Sequence, residues 1–402
     1  MSLAQRKAWA LRQGSPLWLW PEVAPGDWRR ALAELEHVCM AVLDGPCFDT
    51  LTAEPAALGL AGYTSGLGPL VGHWLEQVVL FAQPAAADVC RGQLRANSAR
   101  MERLLARARE LTAALTAGRV EVTCLKGIHM ASAYFPQVGS RPMSDIDILV
   151  SPADAAIAAQ ILAALGYRQT ASTLLESAWT HSDSADAPRT MLSLEADDPW
   201  AIDMHVSIDV PGPPGAAPAR LSQARQAVVP STSILGAKQL VQPILLLHLA
   251  AHAGSGFHNL TLLRLVEIVL VARADIASGA LSWDEFAELG AATGALAFAY
   301  PALAMARRLS PRDIPHEIVE RCAREAPPQV RRLVAELRPA TAHRIERPTL
   351  REHFAWTSGP GGWLRRLAAD VMPEPRSLRG TAAIHASRVR AFLRPRLTQP
   401  QP

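Results

Sequence analysis

Val120–Val150 reads VEVTCLKGIHMASAYFPQVGSRPMSDIDILV, and its last six residues decide how the rest is arranged. Asp145 and Asp147 alternate with Ile146 and Ile148 and run into Leu149 and Val150. Polar and apolar side chains alternating over so short a run argue a strand, in which residues two apart point to one face. Both carboxylates then face the same way, and Ile146 and Ile148 on the other face fix the register, since a slip of one residue would turn two charges into the core. Two adjacent negative charges need a cation, and Mg²⁺ held by carboxylates together with nucleotide phosphates is a common solution. The plain alternative is a strand end with two solvated aspartates.

Outward from this strand, Val120–Leu125 reads as another strand ending at Lys126-Gly127, Ile128–Phe135 as a short helix and Pro136–Ser144 as a loop. Ser151-Pro152-Ala153-Asp154 opens a helix whose Ile157, Ile161, Leu162 and Leu165 form a core stripe ending at Gly166. After a polar connection, Trp200–Ile208 alternates again: Ile202, Met204, Val206 and Ile208 share one face, and Asp203, His205 and Ser207 the other. A third carboxylate is thus presented on a strand, and the Pro-rich run from Pro211 to Ala219 bounds the unit.

Upstream, an irregular Trp- and Pro-containing lead runs to Gly26, and Asp27 is placed to cap a helix that ends at Gly45-Pro46. A Gly-rich connection and a mostly buried helix over Leu67–Phe81 follow. Ala87–Ala117 is the clearest helix, with Met101, Leu104, Leu105, Ala108, Leu111 and Leu115 in one stripe. Its Arg103, Arg107 and Arg109 read as a solvated surface or a phosphate-binding face, and Gly118 as the residue that ends it. Downstream, Gly236 to about Ala340 is helical, divided at Tyr300-Pro301 and Pro327-Pro328, and Arg-rich helical pieces lead to a loose RLTQPQP tail. This divides the chain into an N-terminal helical region (1–118), a core (119–220), a helical domain (221–345) and a C-terminal extension (346–402).

With 402 residues, 49% hydrophobic and 19% charged, the chain has ample material for a core. A net charge of +3 argues against nucleic-acid binding by charge alone. The five scattered cysteines (Cys39, Cys47, Cys90, Cys124 and Cys322) include no CxxC pair and suggest reduced thiols in a cytoplasmic protein. The N-terminus has no apolar core long enough for a signal peptide. Ile244–Ala272 is interrupted by His248, His252, His258, Arg264 and Glu267, which favours a buried helix pair over a membrane span.

Two strand-borne aspartates, a third on a separate strand and an upstream glycine turn resemble the polymerase-β-type nucleotidyltransferase superfamily. Within it, the ordered set Leu125-Lys126-Gly127, Arg141 through Asp145-Ile-Asp147-Ile-Leu-Val150, Gly166-Tyr167 and Ile202-Asp203-Met204-His205 resembles an uncharacterised bacterial nucleotidyltransferase family with the pattern LKG, R…DIDLLV, GY, DLH. The likeness covers about Ala87–Ala272. It implies an α+β fold: a small mixed β-sheet nucleotidyltransferase core with helices, flanked by N-terminal and C-terminal helical regions. It also implies transfer of a nucleoside monophosphate from an NTP such as ATP to an acceptor, with pyrophosphate released. Asp145, Asp147 and Asp203 would be both the catalytic carboxylates and the ligands of Mg²⁺ or Mn²⁺, with Asp203 also a candidate general base. Lys126, Gly127, Arg141 and His205 would meet the nucleotide, the glycine by close backbone approach and the cations by charge. Where the wider superfamily carries Gly-Ser or Gly-Gly, Ile128 follows Gly127, so the hydroxyl of that turn is absent and Ser140 or Ser144 is a candidate substitute.

Some members of that family are encoded beside exopolysaccharide or modified-peptide biosynthesis genes, which suggests a small-molecule, saccharide or peptide acceptor. Competing readings are a toxin-like nucleotidyltransferase acting on tRNA, a glycosyltransferase with Asp145 and Asp147 as its DxD, and a non-catalytic nucleotide- or partner-binding member. The tRNA reading needs a basic groove, and the glycosyltransferase reading leaves Asp203 and the LKG turn without a role. His248 and His252 have metal-ligand spacing but lack the intervening glutamate of HExxH, so packing is the simpler reading.

Overall fold

Proline opens the four longer helices described before residue 118. The computed structural model describes residues 6, 10, 19–45, 49–181, 198–212, 216–223, 228–256, 260–342, 350–357 and 359–371. Helix α1 (Pro25–Asp44) is followed by strand β1 (Thr50–Leu51), helices α2 (Pro55–Ser65) and α3 (Gly68–Glu76), strand β2 (Phe81–Ala82) and helix α4 (Pro84–Ala117). All four helices carry proline in their first two positions, where its missing N–H would be unsatisfied anyway. Asp27 therefore sits in the first turn of α1, not at its cap, which is Ala24. Helix α2 occupies the stretch read as a Gly-rich connection. A Cβ at Gly62 would lie 2.9 Å from the Cα of Gly68, so glycine here reports close packing between consecutive helices.

The stripe expected on α4 is buried throughout, while Arg103, Arg107 and Arg109 are exposed; Arg107 pairs with Glu110 one turn on. Burying leucines such as Leu104, Leu111 and Leu115 contributes roughly 1.5–3 kcal/mol each. Gly118 keeps an ordinary negative φ, and Arg119 at φ +60° makes the left-handed turn that ends the helix.

The core follows as β3 (Val122–Cys124), α5 (Lys126–Ala133), β4 (Asp145–Val150), α6 (Ala155–Ala164), β5 (Tyr167–Ser172), β6 (Glu176–His181) and β7 (Ala201–His205). Strands β8 (Val228–Pro230) and β9 (Lys238–Leu240) complete a seven-stranded mixed sheet in the order β5-β6-β7-β4-β3-β9-β8. β4 runs antiparallel to β3 and parallel to β7, and β9 runs parallel to β3. The β5–β6 hairpin falls partly in the stretch read as a polar connection; residues 182–197 of that connection lie outside the described residues. β9 replaces the start of the helix expected from Gly236. On α6 only Ala158 and Leu162 are buried and Ile157 is 45% exposed, so the stripe that covers the sheet is narrower than its apolar content suggested.

The remaining helices are α7 (Ile244–Ser255), α8 (Leu262–Ala277), α9 (Trp283–Thr293), α10 (Leu296–Leu309), α11 (His316–Glu325), α12 (Pro328–Glu336), α13 (Pro339–Ala342), α14 (Leu350–His353) and α15 (Gly359–Val371). The apolar stretch from Ile244 is the expected helix pair, α7 and α8. Pro301 lies inside α10 and divides nothing, whereas Pro328 opens α12 as the Pro-Pro signal implied.

One apolar core joins the sheet to α4, α5 and α6 through Leu111, Leu115, Ile128, Ile146, Leu162 and Ile202. A second packs α1–α3 against α7–α13, so the helices before and after the sheet share one interior. The whole is an α+β fold, a small mixed sheet flanked by helices. Cys39, Cys90, Cys124 and Cys322 are buried free thiols; Cys47, most of the N-terminal lead and the RLTQPQP tail lie outside the described residues. Among the described residues no helix is long and apolar enough to cross a membrane.

Candidate active site

Strand pairing brings the distant acidic segments together. β4 and β7 are adjacent and parallel, and Asp147 is the register partner of Asp203, with Asp145 two residues back on the same face. Ile146 and Ile202, facing each other one residue away, are fully buried on the opposite side. The approach to both strands is held by Arg100 of α4, which is 1% exposed. Its Nε donates to the Met143 carbonyl at 3.2 Å, and its Nη1 and Nη2 donate to the carbonyls of Asp198 (2.7 Å) and Pro199 (3.2 Å). A single planar fork thereby ties the segment before Asp145 to the segment before Asp203.

The three carboxylates lie in a cleft of about 330 Å³ whose walls come from the sheet, the end of α2 and helices α7 and α8. That is at the lower end of the roughly 300–1,000 Å³ of small-molecule clefts. Besides the aspartates it is lined by Glu176, Glu267, Lys126, Arg141 and Arg264. Five carboxylates against three permanent cations leave the cleft net negative, unsuited to a triphosphate unless further positive charge accompanies it.

The environments of the aspartates differ. Asp145 is half-buried, and burial beside Asp147 and Asp203 pushes its carboxyl up to about 6 despite a hydrogen bond from Ser144. Asp147 is more buried still, which alone would raise its pKa, yet Lys126 and His205 hold it well below the usual carboxylate range. Lys126 Nζ and His205 Nε2 both donate to Asp147 Oδ1 at 3.0 Å. The other ring nitrogen of His205 lies 3.4 Å from Glu176, its cross-strand partner on β6.

The turn before α5 is tied to β4, because the Leu125 amide donates to the Asp147 carbonyl at 3.0 Å. Lys126 adopts φ +35°, a conformation that a residue with a side chain takes only under constraint. Gly127 fits closely, since a Cβ there would lie 3.0 Å from Met143 Sδ and 3.3 Å from Arg141 Nη1 and would push those side chains by a few tenths of an ångström. Arg141 lines the cleft, but its Nε is engaged in a buried ion pair with Glu267 of α8. Ser140 is turned away, bonding the Gln137 carbonyl, whereas Ser144 lines the cleft.

Three participants were not singled out as site residues from the sequence: Glu176, Glu267 and Arg264. Arg264 is half-buried in the cleft near Asp145, Asp147 and Glu267, and burial lowers its pKa. Arg264 and Glu267 are charges three apart in the otherwise apolar stretch 262–272, a pattern that puts them on one face. The histidines of α7 divide. His248 is buried with no hydrogen-bond partner at either ring nitrogen among the described residues, while His252 reaches the cleft with its Nε2 3.3 Å from Lys126 Nζ. Burial above all lowers His248 to about 3, and the Lys126 charge, with burial behind it, holds His252 well below the usual range, so both are neutral.

The donor set suits a hard divalent cation: oxygen ligands from one sheet face whose mutual repulsion already raises Asp145. As the side chains stand, no three acidic, histidine or cysteine groups among the described residues are arranged to hold a metal ion, and an ammonium lies against Asp147.

A family model described as "Uncharacterised nucleotidyltransferase" matches residues 62–311, a span that includes every cleft residue named above. Neither the curated proteins nor the solved structures contain a match to the chain.

Proposed function

The chain belongs to the uncharacterised nucleotidyltransferase family, and from that premise we propose that the acidic cleft transfers a nucleoside monophosphate from an NTP to an acceptor hydroxyl or phosphate. The observation carrying this reading is the facing register of Asp147 and Asp203, with Asp145 beside them, at the base of a cleft that also holds Lys126 and Arg264.

Asp145, Asp147 and Asp203 would hold Mg²⁺ or Mn²⁺. When bound, the metal supplies charge neutralisation for the triphosphate and stabilises attacking and leaving oxygens. The chain's own groups divide the remaining work. Asp147 is occupied by two donors, and Asp203 on the neighbouring strand takes the proton as the acceptor oxygen bonds the α-phosphorus. The bond from that phosphorus to the bridging oxygen breaks, and pyrophosphate leaves against Lys126 and Arg264, which meet its developing charge. His205, bridging Asp147 and Glu176, holds the central carboxylate in orientation.

The acceptor is a small molecule, a saccharide or a peptide side chain. Transfer RNA is the less suitable candidate, because a cleft with more carboxylates than cations repels a polyanion. Pyrophosphate release from each of the four NTPs, with Mg²⁺ and with chelator, tests the reading. Metal-dependent release with at least one nucleotide supports it, and equal release in chelator excludes the metal.

A further inference from the structure

The cation nearest the acidic face is supplied by the protein itself. Lys126 Nζ lies 3.0 Å from Asp147 Oδ1 and 3.3 Å from His252 Nε2, in a pocket where its side chain is 14% exposed. An ammonium only donates, so the neutral His252 accepts at Nε2 and the lysine is shared between a carboxylate on β4 and an imidazole on α7. The backbone at Lys126 is held at φ +35°, at the junction of β3 and α5, and such strained positions persist where the surroundings over-determine them. The His252 ring stacks on that of His248, one turn back on α7, at a ring separation of 6.0 Å.

From this arrangement we propose that Lys126 competes with the divalent cation for Asp147, and that His252 is the positioning residue that keeps the ammonium poised to move from Asp147 onto the nucleotide phosphates. The inference rests on the nucleotidyl-transfer reading and deepens it. Two positive charges sharing one carboxylate oxygen repel, so a metal alone binds weakly. A metal arriving with a triphosphate brings anionic oxygens that accept the displaced ammonium. Lys126 thereby couples metal binding to nucleotide binding and disfavours occupation of the acidic face by metal alone. His252 acts through Lys126 by offering a second acceptor, so that the ammonium does not rest wholly on Asp147.

The test is titration of Mn²⁺ alone, and of Mg²⁺ with α,β-methylene ATP, into the full-length protein and its Lys126→Met, Lys126→Gln, His252→Gln and His252→Leu variants, each checked by melting curve. Removing the ammonium should tighten Mn²⁺ alone at least about tenfold, since an ion pair at this spacing interacts strongly away from bulk water. The same variants should weaken the nucleotide analogue by a similar factor. A phosphate-binding lysine without the competing role leaves Mn²⁺ affinity unchanged, and a merely structural one weakens both ligands. His252→Gln keeps an acceptor and should stay near wild type, whereas His252→Leu should weaken Mn²⁺, the opposite sign to Lys126→Met. Unchanged or weaker Mn²⁺ binding in both lysine variants, with wild type binding metal and nucleotide, overturns this inference and leaves the transferase reading standing. No binding of the nucleotide analogue with Mg²⁺ by wild type overturns both.

Discussion

Replacing Asp145 or Asp147 by asparagine should slow transfer by about a hundredfold or more in both cases yet move stability in opposite directions. Asp145 is charged at a cost: burial next to Asp147 and Asp203 raises it from 3.8 to about 6. For a group raised in the folded state, the favourable contribution is complete below the unfolded value near 3.8 and lost as pH rises through about 6. Asparagine mimics the protonated form, so Asp145→Asn should equal wild type near pH 4 and exceed it at pH 8. A shift of about two pH units corresponds to a ceiling of about 3 kcal/mol, and partial exposure reduces the expected gain to roughly 1–2 kcal/mol. Asp147 is the reverse case. Its depressed pKa contributes stability that is present above the unfolded value and lost only at acid pH, and its loss leaves Lys126 without its carboxylate. Breaking one side of such a buried pair costs about 3–5 kcal/mol, so Asp147→Asn should be destabilised by a few kcal/mol at pH 8. Denaturant unfolding in chelator at pH 8 and near pH 4 measures both differences. Shifts of the same sign at pH 8, or an Asp145→Asn gain that does not shrink on acidification, would refute the electrostatic description of the site.

Arg264→Ala should lower kcat/KM for the NTP roughly ten- to hundredfold, the loss of one charge-assisted hydrogen bond worth about 1.5–3 kcal/mol, with little change in melting temperature; steady-state kinetics on the preferred nucleotide decide it. Arg100→Lys keeps the charge but not the fork that spans the Met143, Asp198 and Pro199 carbonyls. It should cost about 2–3 kcal/mol and lower kcat more than it raises KM, because it loosens the alignment of Asp145 with Asp203 rather than a substrate contact; unfolding and kinetics measured side by side separate the two effects.

How much of this was legible beforehand depended on length and pattern. The alternation at Asp145–Val150 and at Ile202–His205 identified two strands and the face of each aspartate, because burial on one side leaves a period of two. Which strand neighbours which is a long-range matter, and the pairing of Asp147 with Asp203 came only with the sheet. β8 and β9, three residues each, are too short to show any period, and the β5–β6 hairpin is too exposed to show an apolar face. Helix α2 was hidden because glycine signals a turn in isolation and a close contact in a packed pair. In the site, Lys126 and Arg141 were recognised as cations facing anions, but not that Asp147 and Glu267 are those anions in the protein itself. Arg100 left no mark, since one arginine in a helix with many looks like the rest until its carbonyl partners are known.

The central claim is that carboxylates from two distant segments serve one transfer reaction, and transfer of α-³²P label from NTP by wild type and by the Asp145→Asn, Asp147→Asn and Asp203→Asn variants tests it most directly. Each substitution should lower the rate by about a hundredfold or more, as expected when a group acting at the transition state is removed. Asp203→Asn with wild-type activity, in a protein that loses activity on changing Asp145 or Asp147, would contradict it.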